Sequence, residues 1–413
     1  MTSNRGFSDS PVAVIGGGPV GMCAAMVLAS KGISVTVYEA NPKPMPDWRA
    51  STFHAPTLEL LDRIGVAGPM HEEGLVVPRY QFRDRKVGLV AEYDFSLLAD
   101  ETPFPYRLQL NQQRLVAILF GMLSKMDNVE LRFGCRITSI VTDQAGSKFE
   151  YQDAADGSMS SVEARFVIAA DGARSSVRSL LEIPFDGITY PERFLIISTP
   201  VEMGDLIERL APVNYIADPE EWLFILRTPE SWRVLWPVPE GITDDEALSD
   251  SQIEAHLQGV APRSEPYPIL DSQIYSVHQR VAERFRQGST VLVGDAAHIN
   301  SPVGGVGLNS GIHDAFDITE RLARVIIDET DQELELDAFE TIRRRVALEY
   351  VQADTERNTR RLREKDEVQR AVNIEEMRAL AFDLDAQRNY LRRVSLLESF
   401  RRFGIGLPVE EAV

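Results

Sequence analysis

The sequence predicts an α/β fold: a parallel sheet, an inserted and mainly antiparallel β region, and a helical C-terminal segment. Three features carry that expectation. Short apolar runs followed by helical patterns occur at 12–39, 164–178 and 290–327, the texture of strands buried on both faces. Residues 183–275 change to period-2 alternation with many prolines and tryptophans. From Asp337 onward the chain is charged and spaced as helix faces are.

The first run says most. Val12–Ile15 reads as a strand, and Gly16, Gly18 and Gly21 follow at G-x-G-x-x-G spacing. Pro19 to about Lys31 suits a helix, and Ile33–Tyr38 reads as a second strand that ends in Glu39. Gly16 permits the tight turn, Gly18 lets backbone approach a pyrophosphate, and Gly21 lets helix pack on strand. Free N–H groups and the helix dipole then hold phosphates, while Glu39 accepts from ribose hydroxyls. The expected unit is a Rossmann-like dinucleotide site, with FAD and NAD both open at this point.

Composition narrows the class. A chain of 413 residues suggests two or three domains. The net charge of −20 argues against nucleic acid or an anionic membrane as partner. No run approaches a spanning helix and the N-terminus lacks a secretory h-region, so a cytoplasmic protein is expected. Cys23 and Cys135 stand alone and are expected to be buried, reduced thiols. His298 and His313 lack spaced partner ligands, so no metal site is expected.

Along the chain, Arg49 follows a proline-rich loop; residue type alone favours an exposed loop arginine over a phosphate contact. His54 precedes a helix expected over 57–64 and is either a helix-start residue or a pocket residue. Residues 76–101 read as an antiparallel excursion turning at 84–86, and a helix follows Asn111–Gln113. A strand at 164–169 delivers Asp171-Gly172 at its carboxyl end, where ligands sit in open α/β sheets. WLFILR and WRVLWPV form a hairpin about TPES. Trp222, Phe224 and Leu226 share one face, and Trp232, Val234 and Trp236 share a face of the partner strand. Such faces line a flat-ring pocket or pack on a neighbouring layer, and both readings stand. A strand at 290–293 ends in Gly294-Asp295, and glycines 304, 305 and 307 lead into a helix from about Leu308 to Ile327.

Three stretches together, GGGPVG at 16–21 with Glu39, DGARSSVR at 171–178 and GDAAHINSPVGGVGLN at 294–309, support a resemblance. Over most of residues 10–330 the chain resembles the single-component flavin aromatic hydroxylases of the para-hydroxybenzoate hydroxylase class. The resemblance implies FAD. By it, Gly16, Gly18 and Gly21 hold the pyrophosphate, Glu39 the ribose, and Arg49 reaches the FAD. Gln112 is similar to a family glutamine at the start of its helix, with Gln109 the competing choice. Asp171 and Gly172 match the family's Asp-Gly element, and Asp295 the acid on the ribityl chain. Pro302, Gly305, Leu308 and Asn309 look like the segment beside the flavin ring.

No second G-x-G-x-x-G follows a strand, which fits NADH or NADPH docking transiently. The resemblance implies a monooxygenase that hydroxylates a small activated aromatic with O₂, through a flavin C4a-hydroperoxide. Thr52, His54 and Arg227, with Pro302, are the catalytic-pocket candidates; Trp222, Phe224, Leu226 and Trp236 are the substrate contacts. The implied FAD-binding parts are 1–75, 102–180 and 280–335. The substrate parts are 76–101 and 181–279, and 336–413 is a helical cap or an oligomer contact, as in a homodimer. The rivals are a flavin halogenase, whose W-x-W-x-I-P is absent, a quinone-pathway hydroxylase, and a non-catalytic module that sequesters a reactive intermediate.

Overall fold

The computed structural model describes residues 11–45 and 50–407, apart from the side chains of Pro191 and Glu192; Arg49 lies outside the described residues. The six-stranded sheet has the order 286–287, 290–292, 166–169, 12–15, 35–39, 129–133. Its inner strands run parallel, with Val12 level with Phe166 and Val35. Val12–Ile15 is buried along its whole length, as a central parallel strand must be. The expected strand at 164–169 divides: Met159–Ala164 closes a three-stranded antiparallel sheet, and Phe166–Ala169 joins the parallel one.

The helix Pro19–Ser30 packs on the long helix Gly307–Ile327. The approach is close: a Cβ on Gly311 would stand 2.9 Å from Val20 and 3.0 Å from the Cα of Gly294. This contact brings the two strand-end turns, at Gly16–Gly18 and Gly294-Asp295, side by side.

An eight-stranded sheet takes the order 298–299, 271–282, 185–199, 232–238, 223–227, 213–217, 79–84, 88–94. The excursion expected at 76–101 therefore supplies its last two strands, turning over residues 85–87. One face of this sheet contributes to the main core. Its other face carries Leu195, Ile225, Trp232, Val234 and Trp236, which form a second core with Ile253 and Leu257 of the helix Asp250–Val260.

The C-terminal segment is helical, as its charge pattern predicts, and it docks on the excursion. Asp84 accepts from Arg370 at 2.7 Å, the Tyr93 hydroxyl donates to the Met377 carbonyl at 3.1 Å, and Gln387 accepts from the Asp94 N–H at 2.9 Å. No helix among the described residues is long and apolar enough to cross a membrane.

Candidate functional site

The strand ends of the parallel sheet open into one cavity of about 680 Å³. Gly16–Val20, Glu39, Gln112, Asp171, Gly172 and Asp295 line one part of it; Phe224, Leu226 and Leu235 line another. Thr52, Pro302, Gly305 and Leu308 also face it.

The turn at Gly16–Gly21 has the geometry its glycines demand. Gly16 has φ +110°, and a Cβ there would lie 2.3 Å from the Ala170 carbonyl oxygen. A Cβ on Gly21 would lie 2.0 Å from the Gly16 oxygen, which is how helix and strand pack so closely. Around Gly18 the protein places nothing within 4 Å of such a Cβ, so its surroundings are open. No side chain caps the helix start at Gly18, which leaves N–H groups for a ligand. Glu39 accepts from the Gly17 N–H at 2.7 Å and from Asn41, which fixes its carboxylate beside the turn. An open cradle, uncapped N–H groups and an oriented acid fit the diphosphate and ribose of FAD.

Asp171 lines the cavity while its carboxylate is committed locally. It accepts from Ser175 at 2.5 Å, Ser176 at 3.2 Å and the Val177 N–H at 3.1 Å, so it holds the start of the following helix. Arg178 ties this loop to the other turn, donating to the carbonyls of Ala296 and Ala173 at 2.8 Å each. Its burial was not anticipated; the arginine in DGARSSVR was the available signal. Asp314 was also missed. It accepts from the Gly294 N–H at 3.0 Å and from Arg343 at 2.6 Å, and it lies 2.8 Å from His298. Burial alone would raise this carboxyl, but Arg343 and His298 outweigh it and hold the group at about 2. Asp314 thus anchors the turn that presents Asp295.

The loop over residues 302–309 is braced from behind. Thr52 donates to Gln109 at 3.0 Å, and a Cβ on Gly305 would meet the Thr52 side chain at 3.0 Å. Gln112 lines the cavity wall, and Gln109 lies behind Thr52 as its hydrogen-bond acceptor. The His54 Nε2–H donates to the Gly304 carbonyl at 3.1 Å. Burial, reinforced by Arg107, pushes His54 well below the usual imidazole range, so the ring is neutral. His313 lies 2.9 Å from the Thr57 hydroxyl and is likewise structural.

Besides His54, four more of the expected site residues stand off the cavity wall. Asn309 accepts from the His54 N–H at 2.9 Å and donates to the carbonyls of Thr52 and Gly305 at 2.8 and 2.6 Å; its amide braces the loop and does not line the cavity. Arg227 pairs with Glu202 at 3.3 Å, away from the cavity wall. Trp222 packs edge-on to Phe194 at 5.2 Å and stays in the core. Trp236 faces the second core, 4.5 Å from the His256 ring. The reason is register. Phe224 pairs with Leu235 and Leu226 with Arg233, so Leu235 and Arg233 share the cavity face and Trp236 takes the opposite one.

A parallel sheet with a dinucleotide cradle, joined to an antiparallel sheet across one cavity, defines a flavoprotein of the FAD-dependent monooxygenase class. Residues 9–354 match the FAD binding domain family, and the chain belongs to it. It is 33% identical over 397 residues to para-nitrophenol 4-monooxygenase of Pseudomonas sp. (strain WBC-3), covering 94% of this chain and 96% of that protein. It is 31% identical to 6-hydroxy-3-succinoylpyridine 3-monooxygenase HspB of Pseudomonas putida (strain DSM 28022 / S16), with 94% and 98% covered. Among solved structures, p-nitrophenol 4-monooxygenase PnpA from Pseudomonas putida DLL-E4 superposes with a TM-score of 0.89 at 30% identity, covering 94% of this chain and 98% of PnpA. The resemblance in the sequence is borne out: the chain is an FAD-dependent aromatic hydroxylase.

Proposed function

We propose that this enzyme hydroxylates a small phenol or hydroxypyridine, with NADH or NADPH as reductant and O₂ as oxidant. The observation that carries this reading is the single cavity running from the Gly16–Glu39 cradle to the apolar wall of Phe224, Leu226 and Leu235. The relatives named for nitrophenol and for a hydroxypyridine cover nearly all of the chain and support the substrate class.

Bound FAD supplies the hydride acceptor and the oxygen-activating centre. The protein's part is binding, orientation and exclusion of water. Gly16, Gly18 and the N–H groups after them take the diphosphate, and Glu39 accepts from ribose hydroxyls. Asp295 would hold the ribityl chain, and the Asp314 brace on Gly294 fixes the turn that carries it. Pro302 and Gly305, on the cavity wall, would border the flavin ring, and Phe224, Leu226 and Leu235 would keep the substrate side dry. Thr52 faces the cavity from below that loop, and His54 acts through the Gly304 carbonyl as a positioning residue. The segmentation given above, with 76–101 and 181–279 as the substrate parts, belongs to this reading. A cytoplasmic site without nucleic-acid partners also belongs to it, supported by the −20 charge.

The test is NADH and NADPH oxidation across phenols, aminobenzoates and hydroxypyridines, with product mass. One class should stimulate oxidation and yield a product heavier by one oxygen atom. FAD-loaded protein whose NAD(P)H oxidation no aromatic stimulates would overturn the reading.

A further inference from the structure

A second chamber, of about 30 Å³, borders Gly304 and is lined by Tyr80, Arg107, Tyr215, Arg361 and Tyr390. Arg107 lies on the strand Arg107–Gln109 and is 2% exposed. Its guanidinium sits 4.3 Å from the Tyr80 ring centre, 5.3 Å from that of Phe95 and 5.9 Å from that of Tyr215. One N–H donates to the Tyr215 hydroxyl at 3.4 Å, and its buried Nε has no partner among the described residues. Arg361, from the helix Ala353–Leu362, brings a second guanidinium to the same chamber.

A buried cation in an aromatic cage is poorly compensated. Ring faces offset only part of the lost hydration, and no carboxylate among the described residues pairs with Arg107. Burial pushes the Tyr80 and Tyr215 hydroxyls up, so both stay neutral and leave the charge unmatched. The chamber is open to water-sized groups, enough for a polar substituent to enter. It adjoins the main cavity: Gly304 borders the chamber and Gly305 the cavity, and Tyr215 on the chamber side stacks on Phe224 on the cavity side at 4.7 Å.

We propose that Arg107 receives an anionic oxygen carried by the aromatic substrate, a phenolate, carboxylate or nitro oxygen, and so restricts the enzyme to anionic or strongly polarised rings. This rests on the aromatic-hydroxylase reading and deepens it. The buried Nε–H is a donor already desolvated, so an incoming oxygen meets no competing water. Replacing the anion with a neutral group would leave that donor unpaired, which is the strongest form of discrimination a pocket has.

The test uses matched ligands on the FAD-loaded protein, read by the change in the flavin visible spectrum: 4-nitrophenol against 4-nitroanisole, and benzoate against benzamide. The anionic member of a pair should bind about ten- to a hundredfold more tightly. Arg107→Gln should abolish that preference while FAD content and neutral-ligand affinity persist, and Arg107→Lys should restore part of it. A preference for 4-nitrophenol alone assigns the phenolate, and for benzoate alone the carboxylate. Equal binding within both pairs by the parent would overturn the proposal, and so would equal loss of neutral and anionic ligands in a folded Arg107→Gln. If that variant fails to hold FAD, Arg107→Met takes its place under the same two outcomes. Product analysis keeps the two readings apart: hydroxylation without anion preference sinks only this inference, and anion preference without hydroxylation sinks only the proposed function.

Discussion

At the scale of single residues, Gly18 and Gly21 look alike in the motif and differ in what surrounds them. A methyl group at Gly21 collides with the Gly16 carbonyl, whereas one at Gly18 meets no protein atom. Gly18→Ala is therefore expected to leave the apoprotein as stable as the parent, or slightly more so, and to weaken FAD binding. Gly21→Ala should lower both. FAD content and thermal unfolding of the two apoproteins separate these outcomes. The buried histidines set a second expectation. Burial, with Arg343 nearby, pushes His313 from 6.5 down to about 3. The folded state therefore stays unprotonated while the unfolded state gains a proton below pH 6.5. Stability is full above that pH and falls as pH drops, by about 1.4 kcal/mol per unit for each such group. His313→Gln should remove roughly 2 kcal/mol of the loss between pH 7 and pH 5, read from urea midpoints at the two pH values. An unchanged slope would mean that His313 is protonated in the folded protein.

At the scale of elements, the hairpin 223–238 shows what could be read and what could not. Alternation gave the right partners within each strand: Phe224 with Leu226, and Trp232 with Val234 and Trp236. Which face of one strand meets which face of the other depends on register, and the four-residue loop 228–231 sets it by pairing Arg227 with Trp232. That parity was present in the sequence and puts Phe224 opposite Leu235. Tryptophan's suitability for ring pockets pointed the other way, and packing decided the matter. The glycine turns and strand-end acids were legible because each needs one residue type at one spacing. Arg178, Asp314 and Arg107 were not, since a buried charge is defined by partners distant in the chain. Two truncations test the two faces. Phe224→Ala should raise the KM for the aromatic, or change substrate preference, with FAD retained. Trp236→Ala should cost ~3–5 kcal/mol in chemical denaturation and leave substrate preference unchanged. A preference altered by Trp236→Ala and untouched by Phe224→Ala would reverse the assignment of the faces. Asn309→Asp would serve poorly as a charge probe of the flavin ring, because it removes the amide donor to Thr52 and Gly305.

At the scale of the whole molecule, the C-terminal helices clamp the 79–94 hairpin and close the small chamber through Tyr390. Their ion pairs are unequal. Arg388 and Asp100 meet at an exposed edge, where solvent and salt screen the attraction and the pair adds little to stability. Arg370 meets Asp84 with that carboxylate 1% exposed, and removing one partner of such a pair costs ~3–5 kcal/mol. The turn N–H groups of Lys86 and Val87 still hold Asp84, so Arg370→Ala is expected near 3 kcal/mol, with faster proteolysis around residues 363–384. Arg388→Ala should change neither stability nor cleavage measurably. The same hairpin bears on how the chain is made. Its strand Arg79–Asp84 pairs in parallel with Val213–Ala217, and the helix Glu367–Phe382 that packs on its other strand comes later still. During synthesis the hairpin therefore waits roughly ten seconds for its first partner, at ordinary elongation rates, and longer for its cover. A nascent or truncated chain exposes an unpaired strand edge over that interval, so aggregation during expression should track C-terminal deletions and be eased by holding chaperones.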